Sequence, residues 1–318
     1  MPPPRSREEL EAYTAKHELN KKLTTALNSA VGKGSEDPIA AISQILAPLP
    51  QPALPPDGRK RLFLGGNYKC KASRASIEAL AADLNARASE FPADVEVVIF
   101  PPTLLIDLCS RIFGPPFVIG AQNVWDTATP GDHTGCTTAA LLKDFGCSWV
   151  LLGHSDRRNT LGETSELIAE KCAASLSAGL SVNLTFGETK AQREAGEHLA
   201  AIEAQLAPVA AALQGDEAAA SWQRIVLAYE PVWAIGDGAT PCSPDEAQAV
   251  HAHVRAWLGA NVSAEVAEAT RIAYTGSVSA SNAASFAACA DVDGFVCGRA
   301  SLSASDFVTV ARCREAAA

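Results

Sequence analysis

Three side chains from distant points of the chain have the types that proton chemistry beside a carbonyl needs. They are Lys69 in Gly66-Asn67-Tyr68-Lys69, His154 in Gly153-His154-Ser155-Asp156-Arg157-Arg158, and Glu230 in Tyr229-Glu230-Pro231. A carboxylate can take a proton, an imidazole can hydrogen-bond a developing oxyanion, and an ammonium can stabilise its charge. Two further stretches, Tyr274-Thr275-Gly276-Ser277-Val278 and Cys297-Gly298-Arg299-Ala300-Ser301, contain glycine. Their backbone N–H groups suit a phosphate. Together these features point to proton abstraction α to a carbonyl on a small phosphorylated molecule. Singly, each has a duller reading: a solvated lysine, a hydrogen-bonded structural histidine, a surface glutamate before a proline, glycines that only make turns. Their joint placement carries the argument, and it depends on the elements that hold them.

From Arg61 onward, short apolar or β-branched runs alternate with helical stretches. Strands are predicted at 62–66, 95–100, 117–121, 148–152, 181–186, 224–229, 271–275 and 294–297. Strands separated by helices read as βαβ units and a parallel sheet. Eight of them within about 250 residues predict an α/β chain with a closed (β/α)8 barrel; periodicity alone leaves an open doubly wound sheet as the alternative. In such a barrel functional groups sit at the C-terminal ends of strands. Lys69, His154 and Glu230 follow strands one, four and six, and the glycine-containing loops follow seven and eight.

The segment ahead of the barrel is different. Residues 1–47 predict a two-helix extension. The first helix runs from about Ser6 to Val31, with Leu10, Leu19, Leu23 and Leu27 on one side, and Gly32-Lys33-Gly34 stops it. The second follows Asp37-Pro38, with Ile39, Ile42, Ile45 and Leu46 apolar. Prolines 48, 50, 52, 55 and 56 make 48–60 a semi-extended linker. A short helix pair buries little surface alone, so it reads as a docking or dimerisation module with a protein partner; a poorly ordered tail with nascent helix is the alternative. Through "LNKKLTTALNSAV" and "DPIAAISQIL" it is similar to helix pairs of the DPY-30 type.

The formal charge is -10, and the first 60 residues are nearly balanced, with eight basic and seven acidic side chains, so the acidic excess lies in the barrel. An acidic body argues against nucleic acid as a partner, while a small anion can still be captured by local N–H groups. The nine cysteines include no C-x-x-C pair, which argues against a disulfide framework or a zinc site and for a reducing compartment. No apolar run approaches the roughly 18 residues of a membrane span, so no membrane association is expected. Glu8, Glu9 and Glu11 are unlike an organelle transit peptide. The cytosol is the expected setting, with a plastid address left open.

The stretches "GGNYKCKAS", "AQNVWDTATPGDHTG", "LLKDFGCSWVLLGHSDRR", "FGETKAQREAG", "IVLAYEPVWAIGDG", "YTGSV" and "DVDGFVCGRASL" occur in this order. Over 61–318 the chain resembles the triosephosphate isomerases. The resemblance implies interconversion of dihydroxyacetone phosphate and glyceraldehyde 3-phosphate through an enediolate, without cofactor or metal. It implies that Glu230 is the base that moves the proton, that His154 is a neutral electrophile touching both substrate oxygens, that Lys69 stabilises enediolate charge and that Asn67 orients the substrate. Backbone N–H groups at Gly236, Ser277, Gly298 and Arg299 would hold the phosphate, with Ser155 and Asp156 in support. Residues 231–241 resemble a lid over the phosphate. "DHTG" at 132–135 resembles a loop that enters a neighbouring subunit, with Thr134 reaching the partner's site, which implies a homodimer.

Departures from the family pattern bear on rate and substrate. Asp156 stands where a Glu is usual and is one methylene short, so a misplaced contact to Lys69 and slower turnover are expected. Thr275 replaces a glycine, and a β-branched residue resists positive φ. Arg299 replaces a second glycine, and its side chain could pair with phosphate or crowd it. Thr185, Tyr68, Asp237 and one residue inserted near Pro241 differ as well. Two other readings follow: an isomerase of another small sugar phosphate, and a weakly active barrel serving as a scaffold.

Overall fold

A computed structural model of the chain describes residues 59–126, 131–215, 217–236 and 238–317. The expected helix pair over 1–47 and the linker up to residue 58 lie outside the described residues, as does Asp237.

The eight strands are β1 (Leu62–Asn67), β2 (Val95–Phe100), β3 (Phe117–Ala121), β4 (Trp149–Leu152), β5 (Ser181–Phe186), β6 (Ile225–Tyr229), β7 (Arg271–Tyr274) and β8 (Gly294–Cys297). Each pairs with the next, and β8 returns to β1, closing a parallel barrel. The expected strands agree with these to within a residue at each end. The open-sheet alternative falls on the seam, where Phe63, Leu64, Gly65 and Gly66 pair with Gly294, Phe295, Val296 and Cys297. A β-carbon at Gly294 would overlap the backbone of Phe63, so the strands can close this tightly only around a glycine.

Strand residues point alternately in and out. Phe63, Val98, Phe100, Trp149, Leu151, Val226, Ala228, Ala273 and Val296 fill the barrel interior. Phe63 and Trp149 pack with ring centroids 5.0 Å apart. Their neighbours in sequence, among them Leu62, Leu64, Val97, Ile99, Val150, Leu152 and Leu227, join the outer core under the helices. Both faces are therefore apolar, which is why these segments read as continuous apolar runs.

The helices between strands carry their own start signals. Ser73 caps Arg74–Ala86 and Ser243 caps Pro244–Asn261, each in a reciprocal capping box; Thr164 caps Ser165–Ser177. At the N-terminal face the charges are matched. Arg271 pairs with Glu96 at 2.7 Å and Arg255 with Asp293 at 2.8 Å, and Asp293 also accepts the Ile272 N–H at 3.0 Å. All nine cysteines are free. No described helix is long and apolar enough to cross a membrane.

Every described strand and the whole closed ladder lie within 62–297. Among the described residues, Arg59 donates to the Ala287 carbonyl at 3.0 Å and Lys60 approaches Asp293 at 3.9 Å, ties that a chain beginning at Arg59 keeps. Deleting residues 1–58 is expected to leave a folded barrel whose thermal midpoint shifts by less than about 5 °C. Calorimetry checks this, and failure of the truncated chain to fold would show that the extension belongs to the fold.

Candidate active site

The site grows from three strand ends. At the end of β1, Asn67 is buried and its side-chain oxygen accepts the Lys69 N–H at 3.0 Å. Lys69 has φ 48°, the only positive φ among the described non-glycine residues. Such a conformation costs a lysine on the order of 1 kcal/mol or more. It is held by that bond and by Gln122, whose amide donates to the carbonyls of Lys69 and Phe100, both at 2.9 Å. The strained turn carries the ammonium to Asp156, with Nζ 3.0 Å from Oδ2.

At the end of β4, Gly153 has φ 74° and turns the chain into the helix Ser155–Leu161. His154 is the cap of that helix: its Nδ1 accepts the Asp156 N–H at 3.1 Å. A backbone N–H can only donate, so this bond occupies the Nδ1 lone pair and leaves the proton of a neutral ring on Nε2. Nε2 lies 3.1 Å from Glu230 Oε1.

At the end of β6, the Glu230 N–H continues the ladder to the Phe186 carbonyl at 2.7 Å. A β-carbon at Gly187 would overlap the Glu230 backbone, so a glycine there lets the segment after β5 lie against it. The Glu230 carboxylate is buried and held by Ser155, whose N–H reaches Oε2 at 2.8 Å and whose hydroxyl donates to Oε1 at 2.9 Å.

The expected misplacement at Asp156 does not occur. The first turn of the helix brings the shorter side chain within contact of Lys69. Partial burial pushes the Asp156 carboxyl up, but the hydrogen bond from Lys69 and its positive charge outweigh it and hold the group below the usual carboxylate value. The pair therefore persists through neutral pH and is lost only as pH falls through that lowered value.

Asn67, Lys69, His154 and Glu230 line one cavity of about 340 Å³ together with Gly236, Ser277, Gly298 and Arg299. The residues expected at the chemical end and at the phosphate end thus share a single space. Ser155 and Asp156 stand behind Glu230 and Lys69 as described. Thr134 is exposed and is not part of the cavity wall. Thr275 takes no positive φ: its N–H continues the ladder to the Tyr229 carbonyl at 2.8 Å, and its hydroxyl donates to the Val296 carbonyl at 3.1 Å. A hydroxyl bond to β8 replaces the freedom that a glycine would supply. Among the described residues no group of three or more His, Cys, Asp or Glu side chains is placed to hold a metal ion.

One residue escaped the sequence reading. Glu188, just past β5, is fully buried and accepts from Trp233 Nε1 at 2.7 Å and from the Tyr229 hydroxyl at 3.0 Å. Arg193 lies 3.4 Å from Glu188 and 3.1 Å from Glu246, and its guanidinium stacks 4.9 Å from the Trp233 ring centroid. Glu188 and Arg193 therefore tie the entry of the 231–241 segment to its exit, where Glu246 completes the Ser243 capping box. The only sequence signal was a glutamate at a strand end, in "FGETKAQREAG".

Comparison with known proteins agrees with this geometry. The family model for triosephosphate isomerase matches residues 62–314. The chloroplastic triosephosphate isomerase of Arabidopsis thaliana is 46% identical over 253 residues, covering 80% of this chain and 77% of that protein. The cytosolic one of Oryza sativa subsp. japonica is 42% identical, covering 77% and 93%. The triosephosphate isomerase of Neurospora crassa is 43% identical, covering 76% and 94%. By its closed barrel, its strand-end residues and these likenesses, the chain belongs to the triosephosphate isomerase family.

Proposed function

We propose that this cavity interconverts dihydroxyacetone phosphate and glyceraldehyde 3-phosphate, with Glu230 as base, His154 as hydrogen-bond donor and Lys69 as cation. The observation that carries the assignment of roles is that these three groups line one cavity whose far wall is formed by the loops after β7 and β8. The family membership weighs against both the longer sugar phosphate and the inactive scaffold.

Glu230 takes a proton from the carbon beside the substrate carbonyl, and the electron pair moves onto the carbonyl oxygen to give an enediolate. The Nε2–H of His154 hydrogen-bonds the oxygens on which charge collects. Lys69 stabilises the same charge, and Asp156 aims the ammonium. Glu230 then returns the proton to the neighbouring carbon, while the hydroxyl proton of that enediolate passes through His154 Nε2 to the former carbonyl oxygen, leaving a carbonyl on one carbon and a hydroxyl on the other with no atom gained or lost. With Glu230 held by Ser155, the carboxylate is in a resting position; reaching substrate means giving up those two bonds. The phosphate is held by backbone N–H groups at Gly236, Ser277, Gly298 and Arg299. Residues 231–241 act as the lid, with positive φ at Gly236 (108°) and Gly238 (79°) at its tip.

A homodimer fits the surface. Leu104 (95% exposed), Leu141 (38%) and Leu161 (62%) stand in the segments after β2, β3 and β4, and Thr134, after β3, is exposed as well. Large apolar side chains that open to water suit a partner, here a second copy that receives Thr134. A protein partner for residues 1–47 remains part of this proposal. The relatives include proteins named as chloroplastic and as cytosolic, in keeping with a cytosolic setting and an open plastid alternative.

A coupled assay with glyceraldehyde 3-phosphate tests the reaction. Glu230→Gln keeps the shape and removes the base, and is expected to lower kcat by about 10²- to 10⁴-fold; near-normal turnover would contradict the assignment. Asp156→Asn keeps the size but removes the charge that aims Lys69. It is expected to lower kcat by about tenfold with a smaller change in KM, and kinetics indistinguishable from the parent chain would show that the pair has no positioning role.

A further inference from the structure

Three cations, Lys69, Lys71 and Arg299, line the cavity, while Arg157, Arg158 and Lys171 lie outside its lining. Lys69 is paired with Asp156 at 3.0 Å. Arg157 and Lys171 both bind Glu163. Arg158 is spent on the Gly153 carbonyl at 2.7 Å and the Ser165 hydroxyl at 3.1 Å. Arg299 is exposed, lines the cavity beside Ser277 and Gly298, and its guanidinium makes no ion pair with any described residue. Asp306, a carboxylate on the same wall, is not bonded to it.

We propose that the Arg299 side chain, and not only its backbone N–H, binds the substrate's phosphate dianion and raises the selectivity of this chain for dianionic over less charged substrates. The inference rests on the reading of this end of the cavity as the phosphate site.

The physical case has three parts. A guanidinium presents five donors in a rigid fork that matches phosphate oxygens, so an unbonded one at a cavity wall is a ready anion ligand. The chain carries a formal charge of -10, so an approaching dianion is not attracted by the body as a whole, and charge within about 8 Å of the mouth dominates the local field at physiological salt. The backbone donors carry no net charge, and Lys69 is compensated by Asp156. Among the lining residues Lys69, Lys71 and Arg299 outnumber the carboxylates Glu230 and Asp306, and Arg299 is a cation of that wall that no carboxylate of the described residues offsets by direct contact. The crowding alternative needs the side chain to fill the space; the cavity is open at about 340 Å³ with Arg299 present.

The test is calorimetric binding of inorganic phosphate to the full chain, to Arg299→Gln and to Arg299→Lys, each verified as folded by circular dichroism, at two salt concentrations. Arg299→Gln is expected to weaken phosphate binding about tenfold and to reduce its salt dependence, Arg299→Lys to recover most of the affinity, and KM for glyceraldehyde 3-phosphate to rise in Gln by a similar factor. Unchanged or tighter phosphate binding in Arg299→Gln would overturn the proposal and favour crowding. Because binding is read without turnover, the result stands apart from the isomerase reading, which would fail separately if the parent chain turned over no triose phosphate.

Discussion

The pairing of β8 with β1 is the constraint on which the rest of this structure depends. A parallel sheet left open would expose a row of unpaired N–H and C=O groups at each edge. Closure removes both edges and sets the positions of all eight strand ends on one rim. Gly294 lets the seam close against Phe63, and Phe63, Phe100 and Trp149 fill the space inside. Once the ladder is closed, β1, β4 and β6 are set at fixed places around one circle. Lys69, His154 and Glu230, separated by more than 70 residues each in the chain, then face a common cavity.

Above that scaffold, backbone groups do most of the positioning. The Asp156 N–H sets the ring of His154, the Ser155 N–H sets Glu230, and Asn67 with Gln122 holds Lys69 in its strained turn. A helix begins where two of these bonds are made, so the unsatisfied N–H groups of its first turn serve the site. Charge is handled differently at the two faces. At the N-terminal face Arg271, Arg255, Glu96 and Asp293 are matched. At the C-terminal rim Arg299 remains without a counter-ion among the described residues.

The strands were legible because both of their faces are apolar and the runs are sharply bounded. The small boundary differences at 148 and 275 have a simple cause: Ser148 and Thr275 still send their N–H groups into the ladder, to the carbonyls of Ile119 and Tyr229. The candidate site residues stood out by their types at strand ends and by motifs that resemble a known family, and the fold brings them to one cavity. What stayed hidden depends on long-range contact. Nothing local to Glu188 shows that Trp233 and Tyr229 converge on it. Ser155 and Glu230 are 75 residues apart. The reach of Asp156 depends on the turn of helix that carries it to Lys69, which side-chain length alone does not show. The hydroxyl of Thr275 solved a conformational problem in a way that its β-branch alone did not suggest.

The central claim is that these three strand ends act on one ligand, with the phosphate end seated at the β7 and β8 loops. A crystal structure of the full chain with an unreactive phosphate-bearing analogue of the enediolate tests it most directly. The account predicts the analogue's oxygens within hydrogen-bond distance of His154 Nε2 and Lys69 Nζ, the Glu230 carboxylate released from Ser155 and turned onto the reacting carbons, and the phosphate at Ser277 and Gly298. An analogue bound elsewhere, or one that leaves Glu230 on Ser155 with the ammonium and imidazole out of reach, would contradict it.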